Sequence, residues 1–87
     1  MMATKLIFLG RLEDLAGRAE DEMSPKAPLD WKGILEWLGD WYSSDLVDAV
    51  DGHRVKIAVN GALVADKSGI VVGDGDEIAF LPPVSGG

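Results

Sequence analysis

Apolar and polar positions divide the chain into short segments of differing period. Lys5 to Gly10 carries the run Leu6-Ile7-Phe8-Leu9 and ends in glycine, which predicts a strand. Arg11 to Gly17 reads as one helical turn or a loop closed by Gly17. Arg18 to Met23 is a weaker second strand. Its Glu20, Asp21 and Glu22 suit a sheet edge, because like charges resist pairing with another chain. Ser24-Pro25-Lys26-Ala27-Pro28 interrupts the pattern. The period then becomes helical, with Trp31, Ile34, Leu38 and Trp41 on one stripe. Asp30 stands where an N-cap belongs, and Leu29 and Ile34 occupy the positions of a hydrophobic staple. Gly33 and Gly39 each lower helix propensity by up to roughly 1 kcal/mol relative to Ala, so packing must hold this helix. It is expected to run to about Ser43 or Ser44, with a further turn near Asp45 to Val50.

After a turn at Asp51-Gly52, Arg54 to Asn60 alternates as a strand, with Val55, Ile57 and Val59 on one face and Lys56 and Ala58 on the other. Asn60-Gly61 is a tight-turn signal that folds Ala62-Leu63-Val64 back as a short strand. A glycine-bearing loop leads to the last strand, Glu77 to Leu81. The order is β-β-α-β-β-β. One main helix of this size covers one face of a small sheet, giving a two-layer α+β domain over residues 1–81 and a tail over 82–87. If Leu6, Phe8, Ile78 and Phe80 face the helix, then Ile7, Leu9, Ala79 and Leu81 face away, joined by Ala58 and Leu63. Small domains seldom leave such an apolar face bare without use, so it reads as a partner interface. A register slip of one residue would exchange the two faces.

Composition narrows the chemistry. The 87 residues form one small domain. Eight basic against fifteen acidic residues leave a net charge of −7, which disfavours nucleic acid and anionic membrane surfaces. It points instead to protein partners with basic surfaces. Without cysteine there is no disulfide, thiolate metal site or thiol nucleophile, and His53 is the single histidine. No apolar run is long enough for a signal-peptide core or a membrane span, so a cytoplasmic protein is expected. No metal site is predicted.

Most local motifs have bland readings. Gly73-Asp74-Gly75-Asp76-Glu77 lacks the third glycine of a dinucleotide fingerprint and the Gly-Lys-Ser/Thr of a phosphate loop, and reads as a solvated turn entering the last strand. The carboxylates form no obvious acid/base couple. His53 reads as a surface residue in a turn, and the tryptophans read as core or interface anchors. The tail is different. Glycine averages about 7% of residues, so a terminal Gly-Gly arises by chance in roughly 0.5% of chains. Gly86-Gly87 lies beyond the last strand, where no turn needs it. Side-chain-free residues can thread a narrow channel and present a carboxylate inside another protein, and Pro82-Pro83 stiffens the exit.

These residues resemble a known family. Gly73-Asp74-Gly75-Asp76-Glu77-Ile78-Ala79-Phe80-Leu81-Pro82-Pro83-Val84-Ser85-Gly86-Gly87 resembles the end of the small subunit of molybdopterin synthase, the MoaD family. Lys5 to Gly17 looks like that family's first strand and turn, and Ala58-Val59-Asn60-Gly61 like its central hairpin. Ala27 to Asp51, with Trp31, Trp37 and Trp41, departs most.

The resemblance implies a β-grasp (ubiquitin-like) fold, with a mixed sheet of four to five strands. It also implies that the Gly87 carboxylate is the functional group. An adenylyltransferase resembling a ubiquitin-activating enzyme (MoeB-like) would activate it with ATP, because a carboxylate acylates poorly until it carries a good leaving group. A persulfide sulfur would replace the adenylate, leaving a thiocarboxylate. That sulfur would pass to cyclic pyranopterin monophosphate on the large (MoaE-like) subunit, building a dithiolene. This chain would bind no cofactor and would act as a sulfur donor, with the catalytic pocket on its partner. Ser85 and Gly86 would line the channel as tail, while Leu9, Leu63, Leu81, Pro82, Pro83 and Val84 would meet partners. The alternatives are a thiamine-pathway sulfur carrier, which also ends in Gly-Gly, a ubiquitin-like modifier joined to lysines, and an interaction domain with an inert tail. The Pro82-Pro83 pair favours the first reading over the thiamine one.

Overall fold

The main helix begins where its cap predicts. In the computed structural model, which describes residues 3–83, the Gly33 N–H donates to Asp30 Oδ1 at 2.8 Å and helix α2 runs Trp31–Trp41. The carboxylate satisfies a first-turn donor that has no partner within the helix. The helix does not continue to Ser44. Tyr42 leaves helical geometry, and Ser43 Oγ accepts the Leu46 N–H at 3.2 Å, starting a separate helix α3 over Ser44–Asp51. A serine hydroxyl competes for backbone donors and so favours starting a helix over sitting inside one. The expected further turn is thus a full second helix. A third, α1 (Arg11–Ala16), fills the predicted helical turn.

The strands are β1 (Thr4–Phe8), β2 (Glu20–Met23), β3 (Leu29–Asp30), β4 (Lys56–Val59), β5 (Ala62–Leu63), β6 (Val71–Val72) and β7 (Glu77–Leu81). Five form one mixed sheet in the order β2-β1-β7-β4-β5, with β1 and β7 parallel and the other neighbours antiparallel. The acidic strand β2 lies at the edge as expected. It begins at Glu20, two residues after the predicted start at Arg18, and the β4 strand begins at Lys56 rather than Arg54. The β4–β5 hairpin turns on Asn60 and Gly61, with φ of 51° and 84°. A type I′ turn needs both central residues there, which explains the Asn-Gly pair.

Two strands were not predicted. β3 and β6 make a separate antiparallel pair, Leu29 with Val72 and Asp30 with Val71. Each has two residues, too few to show an alternation. Beside them Lys67, in a short 3-10 turn (Lys67–Gly69), donates to the carbonyls of Val50 and Gly52 at 2.9 and 2.7 Å, neutralising the C-terminal end of α3.

The sheet's register follows the predicted faces. Leu6, Phe8, Ile78 and Phe80 are fully buried against Ile34, Leu38, Leu46 and Val50 of the helices. Phe8 and Phe80 stack at 5.3 Å between ring centroids. Each fully buried Leu, Ile or Phe contributes about 1.5–3 kcal/mol relative to exposure. One core prediction fails. Trp41 is 71% exposed, while Trp31, Ile34 and Leu38 are buried. It sits in the last turn, past the covered part of the sheet, where it meets Trp37 and borders a cleft with β2.

Candidate functional site

The tail springs from β7, and neighbours on both sides hold that strand. It pairs through Phe8–Phe80 with β1 and through Ile57–Phe80 with β4. Its lower end is fixed by a polar knot that joins two sequence motifs. Asp76 accepts the Gly73 N–H at 2.8 Å and the Asn60 side-chain amide at 3.0 Å, while Asn60 Oδ1 accepts the Glu77 N–H at 2.9 Å. The Asn60 and Gly73 hydrogen bonds hold the Asp76 carboxyl below its ordinary value, since they favour the ionised form. The acidic glycine turn is therefore the predicted solvated turn, and its last aspartate locks the hairpin to β7.

At the upper end the chain must leave the sheet. Pro82 has no N–H to donate, so the ladder stops there. The ring of Pro82, half-buried, lies against Gly10, where an added Cβ would stand 2.9 Å from Pro82 Cγ. Gly10 adopts φ 55° and ψ −128°, a conformation open to glycine and strained for other residues. The turn is tied further by the Leu9 N–H to the Phe80 carbonyl at 3.3 Å and the Leu12 N–H to the Leu9 carbonyl at 3.0 Å. Gly10 thus sets the direction in which the tail departs. Sequence reading missed this contact. Its signal was present, because Gly10 follows the first strand and Pro82 the last, but it becomes legible only once the two strands are known to be parallel neighbours.

The predicted docking residues fall on the sheet face opposite the helices. Ile7, Ala79, Ala58 and Leu63 form a row across four strands through consecutive register pairs. Leu81 lies in the next row with Lys56 opposite it, and Leu9, just past the end of β1, donates its N–H to the carbonyl of Phe80. Leu9 and Leu63 are 41% and 72% exposed and Leu81 is half-buried. Leu9 and Leu81 are neighbours. Leu63 lies two strands from β7, roughly 10 Å away at the usual strand spacing, and Ala58 and Ala79 bridge the gap. Lys5 and Glu20 border the patch at 3.7 Å, an exposed pair that adds little stability. Pro82 is half-buried and Pro83 exposed. Val84, Ser85, Gly86 and Gly87 lie outside the described residues.

Among the described residues no group of three or more His, Asp or Glu side chains comes together to hold a metal ion, and His53 is exposed. No described helix is long and apolar enough to cross a membrane. The arrangement is a platform bearing an apolar face, with the tail leaving from the end of its central strand.

Comparison with known proteins agrees with this geometry. Residues 6–87 match the ThiS family. The molybdopterin synthase sulfur carrier subunit of Anopheles gambiae is 30% identical over 86 residues, covering 95% of this chain and 90% of that protein. The small archaeal modifier protein 1 of Methanosarcina acetivorans superposes with a TM-score of 0.75 at 25% identity, over 100% of this chain and 98% of that one. A chain from the complex of subunits 1 and 2 of the Helicobacter pylori molybdopterin-converting factor superposes with a TM-score of 0.67 at 24% identity, over 99% and 100%. With its β-grasp fold and a match that runs to its last residue, this chain belongs to the ThiS/MoaD family of ubiquitin-like sulfur carriers.

Proposed function

We propose that this chain is the sulfur-carrier subunit of a molybdopterin synthase. The observation that carries the reading is the 30% identity to the Anopheles gambiae sulfur carrier subunit along 95% of the chain. In this reading the Gly87 carboxylate is adenylated by a MoeB-like enzyme using ATP, with release of pyrophosphate. The terminal sulfur of a persulfide attacks the acyl carbon and displaces AMP. A thiol then cleaves the resulting acyl disulfide and leaves the thiocarboxylate. The large subunit holds cyclic pyranopterin monophosphate and accepts the sulfur, and the Helicobacter pylori complex of subunits 1 and 2 supports such a partner. The reaction is cytoplasmic, where ATP and reducing thiols are available. Because the chain has no cysteine, no side-chain thiol can hold the sulfur, which leaves the terminal carboxylate.

Channel threading explains the division between platform and tail. Leu9, Leu81 and Leu63 dock the body, Pro82 and Pro83 aim the exit, Val84, Ser85 and Gly86 pass through the channel, and Gly87 reaches the precursor. The test is sulfur transfer to the precursor by the large subunit, comparing the full chain with one lacking Gly87. Transfer should be lost while binding persists, and full activity after the deletion overturns the reading.

The likeness to a small archaeal modifier protein favours a second reading, a modifier attached to lysines. Intact mass after co-expression with the activating enzyme separates the two. Replacement of oxygen by sulfur at the terminus marks a carrier, whereas ladders ending on target lysines mark a modifier. Transfer to a thiamine precursor instead of the pyranopterin would assign the third.

A further inference from the structure

Beside the tail's exit lies a cleft of about 280 Å³ with Pro82 and Pro83 along one wall. Arg11 from the start of α1, His53 and Arg54 from the turn before β4, and the half-exposed Leu15 complete its rim. No Asp or Glu lines it, although acidic residues outnumber Lys and Arg by fifteen to eight in the chain. Glu13, Asp14, Asp48 and Asp51 adjoin lining residues in sequence but do not line the cleft, and Asp51 is turned to accept the Trp31 indole N–H at 2.9 Å. Among the described residues Arg11 and Arg54 enter no ion pair, and both are exposed. The cleft adjoins the apolar face, since Leu9 precedes Gly10 and Arg11, and Leu81 precedes Pro82.

We infer that this cleft docks an acidic segment of the protein that receives the tail, an inference that rests on the carrier reading. Two guanidinium groups and an imidazole suit side-chain carboxylates, which arginine binds in a planar, two-pronged geometry. Leu15 and the proline rings offer apolar contact to the same segment. A small free anion fits less well, because both guanidinium groups are exposed and neither is held by a buried polar partner. The local sign is opposite to that of the whole chain. The net charge of −7 draws the carrier toward a basic surface, while the tail root seeks an acidic patch beside the channel mouth. A basic spot on an otherwise acidic chain favours one docking orientation, because a rotated carrier would set its carboxylates against the acidic patch. The cleft thereby selects the orientation in which the tail meets the channel.

The test uses the full chain and the large synthase subunit. Association is followed by surface plasmon resonance over a range of salt for the wild type, for Arg11→Glu/Arg54→Glu, and for Lys26→Glu/Lys32→Glu, which changes net charge equally away from the cleft. Circular dichroism confirms folding of each. The cleft variant should bind roughly tenfold or more weakly, with the loss shrinking at high salt, while the control changes about twofold or less. Arg11→Gln/Arg54→Gln should show a smaller loss of the same kind. Equal loss in both charge-reversal variants, or none in either, overturns the inference and leaves the carrier reading intact. Faster binding by the cleft variant overturns it too, because it would place a basic surface of the partner opposite the cleft. A wild type that does not bind the large subunit at all overturns both.

Discussion

Replacing Gly10 by alanine tests how the domain aims its tail. The new methyl group would stand 2.9 Å from Pro82 Cγ, closer than real carbon contacts allow. It would also impose φ 55° and ψ −128° on a residue with a Cβ. Backbone strain of this kind is on the order of 1–3 kcal/mol, and forcing a methyl group into a filled site adds about 1–3 kcal/mol. Alanine also restricts the unfolded chain, which offsets about 0.4–1 kcal/mol. The net loss is roughly 2–4 kcal/mol, a large share of a small domain's stability. At about 4–8 °C per kcal/mol, Tm should fall by roughly 10–30 °C. Urea unfolding of Gly10→Ala, Pro82→Ala and the double variant separates the two causes. Alanine at 82 lacks Cγ and Cδ and keeps only a Cβ 4.0 Å from the new methyl, so the clash vanishes and the strain remains. The double variant should therefore be about 1 kcal/mol or more better than the sum of the singles. Additivity within about 0.5 kcal/mol would refute the reasoning, because it would mean the Pro82 ring does not press on Gly10.

Other perturbations have separable outcomes. Asp30→Ala removes the acceptor of the Gly33 N–H and should lower stability by about 1 kcal/mol in thermal melts, with Asp30→Ser restoring most of it. Leu63→Glu, on a side chain 72% exposed, should weaken binding to the large subunit without changing the melting curve. Ile34→Ala, at a fully buried site, should instead destabilise the domain by about 2–5 kcal/mol in urea titration. Burial, and then the hydrogen bond to Asp21, push the Tyr42 phenol up to about 12, above the ordinary value of 10.0. The folded chain holds that proton more tightly than the unfolded one. Stability should thus be undiminished below pH 10 and fall as pH rises toward 12, and Tyr42→Phe should remove that slope in urea midpoints measured over this range.

Much of this protein is determined by local pattern. Period-two alternation assigns Leu6, Phe8, Ile78 and Phe80 to the core and their neighbours to the outer face, because successive side chains on a strand point to opposite sides. Asp30 caps its helix and Asn60-Gly61 turns its hairpin through bonds and dihedral angles confined to a few residues. The Gly-Gly tail and the absence of cysteine are read directly from composition. Where several elements must meet, local pattern gives out. The two-residue strands β3 and β6 exist only through each other. Trp41 lies on the helical stripe yet remains exposed, since burial depends on what stands opposite a residue and not on its spacing alone. The knot of Asn60, Gly73 and Asp76 forms because β4 and β7 are neighbours. The contact of Gly10 with Pro82, and the gathering of Arg11, His53 and Arg54 around the tail root, require the ends of the chain to be brought together by parallel pairing of the first and last strands. That pairing joins residues more than seventy positions apart, and its stability comes from the shared core beneath it, so only the tertiary structure could decide it.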